Sequence, residues 1–308
     1  MRGARPGGCR RPEADTPDVT ERVLRVLGWN LFHGRDRAPE PKLHTLRSRL
    51  LRRTEHGVTH AQVNRDLFEQ FAQVLADADW DVALLQECPP RWAEELAIHC
   101  RAEAHLALTS RNLPVPLRGA QRLAARLNPD LIASWEGGSN LTLVRGPALT
   151  PLIAERRRTL LTRRPETRRM AFTRLRSGVC IANLHASEAV PAAEEEVRRA
   201  AVTAIAWAAG RPLIFGGDLN LRPATSPALF EALAREHGLR EPTARRTVDH
   251  LLVRGLEIVE PPAQWAPERR EVPDPTAPPG EPALPVRLSD HAPLEAAFAL
   301  VDGPTATG

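Results

Sequence analysis

The feature that most constrains this chain is an ending that recurs. Five short apolar runs stop in clusters that carry carboxylates, carboxamides or imidazoles: Trp29-Asn30, Gln86-Glu87, Asn183-Leu184-His185, Gly217-Asp218-Leu219-Asn220 and Ser289-Asp290-His291. Apolar runs of about four to eight residues bounded by turn residues have the length of buried strands. Polar groups at strand ends, and in the loops that follow, are where scaffolds place functional side chains, so such ends can converge on one cleft.

The order of elements fits that reading. Residues 23–29 read as a strand, and Val63, Leu67, Phe71, Val74 and Leu75 then recur at helical spacing before a short apolar strand at 82–85. A second strand, helix and strand unit runs from 179–184, through a helix that begins near Pro191 and closes at Gly210, into 213–215. Further short strands are expected at 140–144, 170–174, 248–253 and 294–299. Many short strands with a few helices between them suit a sheet-on-sheet core covered outside by helices. The fold expected is therefore a four-layer α/β sandwich, two mixed sheets face to face with helices outside.

With 308 residues, one large domain over 21–302 is expected, flanked by tails at 1–20 and 303–308. Residues 261–287 hold nine prolines and read as a loop, while 91–136 has no assignment and 102–129 reads as a helical insertion. No stretch approaches the roughly 20 apolar residues of a spanning helix, and residues 1–20 are rich in Arg and Pro without an apolar core. A cytoplasmic protein without stable membrane insertion is expected, and a monomer. Cys9, Cys88, Cys100 and Cys180 have neither zinc-site spacing nor the density of a disulfide scaffold. The net charge of +4 permits attraction to a polyanion but does not specify one.

Taken singly, each cluster has an ordinary structural use. Asn30 can satisfy a turn, Glu87 can pair with an arginine, Asp218 and Asn220 can form an Asx turn, and His185 can be a half-buried histidine. Together they form a set of hard oxygen donors without a cysteine, which suits Mg²⁺ or Mn²⁺, accompanied by histidines suited to proton transfer or charge stabilisation.

The blocks Leu27-Gly28-Trp29-Asn30-Leu31, Leu85-Gln86-Glu87, Asn183-Leu184-His185, Gly216-Gly217-Asp218-Leu219-Asn220 and Leu288-Ser289-Asp290-His291-Ala292-Pro293 stand in this order. They resemble the signature blocks of the endonuclease/exonuclease/phosphatase superfamily. Val248-Asp249-His250-Leu251-Leu252-Val253 is similar to the strand before its last block, with His250 where an aromatic is more usual. The resemblance implies a metal-dependent phosphoesterase. Glu87 would be the principal metal ligand, with Asn30 and Asp290 completing the shell. Asp218 would orient or deprotonate water, helped by Asn220. His291, held by Asp249, would stabilise phosphoryl charge, with His185 near the scissile phosphate. Arg168 and Arg169, and Asn183, would approach substrate phosphate. Phe32 stands where members often carry a carboxylate, and His33 and Asp36 are candidates to join the metal shell.

Superfamily members act on DNA, RNA, inositol phosphates and sphingomyelin, so core motifs do not name a substrate. The chain has no tyrosine, which argues against the abasic-site and pancreatic-type nuclease specificities that commonly use one. Nine arginines between Arg156 and Arg176 give a plausible phosphate rim or a solvated loop. DNA or RNA is favoured modestly over lipid or small phosphates, and a non-catalytic binding module that kept the fold is the competing class.

Overall fold

The computed structural model describes residues 23–110, 112–117, 119–121, 123, 137–146, 152–163 and 166–300. The two expected tails and most of 111–136 lie outside the described residues. In chain order the strands are β1 (Val23–Asn30), β2 (Glu55–His56), β3 (Ala61–Gln62), β4 (Val82–Gln86), β5 (Ala102–Leu108), β6 (Ser139–Arg145), β7 (Ile153–Thr162), β8 (Arg168–Leu175), β9 (Cys180–His185), β10 (Leu213–Asp218), β11 (Asp249–Arg254), β12 (Leu256–Gln264), β13 (Glu271–Pro273), β14 (Pro285–Arg287) and β15 (Leu294–Leu300).

One sheet has the order β12-β15-β1-β4-β6-β5 and the other β11-β10-β9-β8-β7. Each is mixed, with a single parallel pair, β1 with β4 and β9 with β10. Those pairs are the two strand, helix and strand units. Their strands are buried along most or all of their length, as expected for strands covered on both faces.

Three apolar clusters account for four layers. The middle one, with Val82, Leu84, Ile181, Ile214, Leu251 and Phe298, lies between the sheets. A second packs Leu27, Trp29, Ala83 and Leu85 under the helices Phe68–Asp77 and Trp92–His99. The third packs Phe215, Leu184 and Leu252 under the helices Val190–Ala208 and Pro227–His237. The first of those two helices buries Ala193, Ala200, Ala201, Ala204 and Ala208, small residues that let it lie close to the sheet. It starts with a proline in its first turn and ends on Ala209 in left-handed conformation, followed by Gly210.

Three expectations change. Residues 102–108 form the edge strand β5 rather than a helical insertion, because pairing with β6 overrides the helix-favouring Ala-Glu-Ala-His-Leu-Ala-Leu composition. Residues 261–287 are not simply a loop. β12 runs through Pro261 and Pro262 as the outermost strand with two register shifts, where a missing N–H costs no ladder bond, and β13 and β14 pair as a ribbon. The arginine-rich stretch is the hairpin of β7 and β8.

Register decides what meets at the open end. Asn30 of β1 lies beside Gln86 of β4, one residue before Glu87. In the other sheet His185, Asp218 and Asp249 are aligned across β9, β10 and β11. Gly217, with φ of +124°, is the close approach between the halves: a Cβ there would lie 2.1 Å from the Leu184 carbonyl oxygen and 2.9 Å from Gln86 Nε2.

Candidate active site

Asp218 is the centre of the arrangement. It is only 1% exposed, and its two oxygens have different duties. Oδ1 accepts the Asn220 backbone N–H at 3.0 Å, which is the Asx turn. Oδ2 accepts Asn30 Nδ2–H at 2.9 Å and faces His185 Nε2 at 3.4 Å and His291 Nε2 at 3.8 Å. The two oxygens therefore have separate partners, Oδ1 closing the turn and Oδ2 facing Asn30 and the two histidines.

The two histidines differ in charge for identifiable reasons. Arg168 Nη1 lies 3.1 Å from His185 Nδ1, and a guanidinium only donates, so Nδ1 accepts and the ring proton sits on Nε2, toward Asp218. Burial, assisted by the Arg168 charge, pushes the His185 pKa down to about 3 against the pull of Asp218, so the ring is neutral. His291 is the opposite case. Burial alone would lower it, but Asp249, bonded to Nδ1 at 2.8 Å, together with Asp218 and Asp290, raises it to about 10. At neutral pH it is an imidazolium.

The loop carrying His291 is pinned from several sides. Trp29 Nε1 and Arg270 Nη1 donate to its carbonyl at 3.1 and 2.9 Å, and its N–H meets Ser289 Oγ at 3.0 Å. Arg270 also donates to the carbonyls of Leu288 and Ser289. Nothing in the sequence marks this arginine, which stands in a proline-rich stretch.

Across the cleft, Glu87 and His33 occupy left-handed backbone, with φ of 47° and 55°. His33 Nε2 lies 3.3 Å from Glu87 Oε2, and His185 Nδ1 lies 3.9 Å from Glu87 Oε1. Burial first, then Asp218 and Asp290, raise the Glu87 pKa to about 7, with Arg35 and His291 only partly offsetting them.

The sequence profile of the Endonuclease/Exonuclease/phosphatase family matches residues 27–291. The chain belongs to this family. A Bacteroides thetaiotaomicron protein of the family has the same fold, with a TM-score of 0.59 at 14% identity, over 91% of this chain and 98% of that one. A mannosyl-6-phosphatase from the same organism gives 0.57 at 14%, over 90% and 100%. Truncated TDP2 of Caenorhabditis elegans gives 0.52 at 15%, over 90% and 98%. No curated protein sequence matches the chain significantly. Family members hydrolyse phosphate esters, and this chain is a phosphoester hydrolase.

Family members generally depend on a divalent metal, and the residues present fit one. Burial, and then the neighbouring carboxylates of Asp218 and Asp290, raise the Glu87 pKa, and a cation would offset that concentration of negative charge. Asp218, Asp249 and His291 also offer donor atoms within 4.8 Å of one another. Within that trio His291 Nδ1 and Asp249 Oδ2 are already bonded to each other at 2.8 Å.

The residues expected to approach substrate phosphate all have partners within the protein. Asn183 has no exposed surface, and its amide ties the sheets together through Leu141 O, Thr142 Oγ1 and Gln86 Nε2. Arg168 is 6% exposed and spends its guanidinium on His185 and Glu166, which makes it a holder of the histidine. Arg169 donates to the Leu108 carbonyl at 2.6 Å and stays partly exposed. Of the two residues after Asn30, His33 reaches the site and Asp36 does not. Asp36 is buried and accepts the Val63 and Asn64 N–H groups instead. One Asn220 amide hydrogen goes to the Ala186 carbonyl.

Proposed function

We propose that the protein is a phosphodiesterase dependent on Mg²⁺ or Mn²⁺, with DNA or RNA as its preferred substrate. The observation that carries this reading is Asp218 Oδ2, buried between a neutral histidine, a charged histidine and Asn30, across from Glu87. Glu87, with Asn30 and Asp290, would hold the cation. When bound, it supplies positive charge at the phosphoryl oxygens and acidifies water.

The chain's own groups do the rest. Asp218 accepts the proton of the attacking water while the Asn30 amide and the His185 Nε2–H fix its orientation. The His291 imidazolium donates from Nε2 toward the oxygen on which charge develops, and Asp249 keeps it charged and aimed. Support for a polyanionic substrate comes from β7, where Arg156, Arg157 and Arg158 are exposed on the edge of the sheet, in a chain of net charge +4.

The test is hydrolysis by purified, chelator-treated protein of plasmid DNA, RNA, an inositol phosphate, sphingomyelin, a sugar phosphate and bis-p-nitrophenyl phosphate, with and without each cation. Turnover of a nucleic acid that appears with Mg²⁺ or Mn²⁺ and vanishes with EDTA is expected. Undiminished turnover after complete metal removal defeats the metal assignment, and preference for a sugar phosphate or lipid defeats the substrate.

A further inference from the structure

The loop after β1 is shaped around one side chain. Phe32, His33 and Gly34 are consecutive left-handed residues, with φ of 49°, 55° and 75°. The first two have no glycine freedom, and such conformations persist only where surrounding structure enforces them. The enforcement is visible. Arg35 lies over the Phe32 ring at 3.7 Å and donates Nε–H to the Phe32 carbonyl at 3.1 Å. Gly34 packs against Trp92 so closely that a Cβ would come within 2.2 Å of the indole. His33 N–H is tied to the Glu87 carbonyl at 3.1 Å. The outcome is an imidazole whose Nε2 sits 3.3 Å from Glu87 Oε2, largely enclosed.

Two neighbouring ligands of an octahedral ion at ~2.1–2.2 Å stand ~3.0–3.1 Å apart, so the separation of Nε2 and Oε2 is close to the edge of a coordination octahedron. Building on the metal-dependent reading above, we propose that His33 Nε2 is a direct ligand of the cation held by Glu87. Replacing a hard oxygen donor by imidazole favours Mn²⁺ and later first-row divalent ions over Mg²⁺, whose affinity comes from oxygen ligands and water. A nitrogen donor therefore shifts the preference of this site away from Mg²⁺ toward first-row transition ions, Mn²⁺ among them.

Titration calorimetry of the full chain with Mn²⁺ alone and Mg²⁺ alone, together with pulsed electron paramagnetic resonance of the Mn²⁺-loaded protein, tests the assignment without reference to turnover. Wild type is expected to bind Mn²⁺ more than about 10-fold tighter than Mg²⁺ and to show hyperfine coupling to a directly bound ¹⁴N. His33→Asn suits the left-handed backbone but is too short to reach the ion. It should lose that coupling and about 10–100-fold in Mn²⁺ affinity, with a smaller loss for Mg²⁺. If neither cation binds wild type, the metal-dependent reading fails together with this one. If both bind but no nitrogen couples in wild type, or the coupling survives in His33→Asn, only the His33 assignment is overturned. His33→Gln, whose amide ligates through oxygen, repeats the measurement if His33→Asn does not fold, and loss of the coupling is again expected.

Discussion

The two walls of the cleft are built by different means. On the β9, β10 and β11 side, His185, Asp218 and Asp249 are neighbours in register, all at most 5% exposed, and held by bonds within the sheet and its first loops. On the other side, only Asn30 belongs to a strand. Glu87 and His33 sit on left-handed turns just past strand ends, and Asp290 is on a loop and 37% exposed at its side chain. Register places groups accurately with little strain, because every neighbour is fixed by the ladder. Turns reach positions that a pleated strand does not, at a conformational cost. The sheet wall suits proton transfer and charge stabilisation, which need narrow geometry, and the loop wall gathers the groups proposed to hold a cation.

The largest effect expected from this division is on Asp218. Asp218→Asn keeps the Asx turn and the site's volume but does not take a proton, so kcat should fall about 10²–10⁴-fold with cation affinity little changed. Full kcat in the purified variant would remove the sheet wall from the chemistry. Glu87→Gln is the mirror experiment. Cation affinity, read by calorimetry, should drop by about 100-fold or more, beyond what loss of a merely orienting group brings. Should Glu87→Gln bind the cation as wild type does while Asp218→Asn loses it, the walls have been assigned the wrong way round.

A smaller effect sharpens the comparison within the sheet wall. His291 carries a raised pKa of about 10, so its charged form prevails below that pH and is lost as pH rises through it. In Asp249→Asn the largest factor raising it is gone, and the alkaline fall of kcat should move to lower pH, toward the ordinary histidine value near 6.5. An unchanged alkaline limb would show that His291 is not the charged donor.

How much of this was legible beforehand depends on whether a residue's role is local. The strand-end clusters were legible because apolar runs ending in polar residues are a local pattern, and the blocks of the family lie within those runs. That Arg168 serves His185, that Asn183 joins the sheets, and that Arg270 pins the His291 carbonyl were not, since each bond joins residues separated by 17 or more positions in the chain. The edge strand β5 was obscured for a related reason. Its alanines and Glu103 favour a helix, and only the neighbouring β6 makes a strand of them.

The sequence by itself determined the layered fold and the chemical character of the site, because hydrophobic periodicity and residue type act through near neighbours, and its strand-end blocks carried the resemblance to the family. The tertiary structure alone decided which histidine is charged. His185 and His291 have the same intrinsic pKa, and they part because one lies buried against an arginine and the other against three carboxylates brought from distant strands and loops. It decided the duty of His33 in the same way, since a turn residue acquires a partner in Glu87 only when β1 and β4 lie side by side.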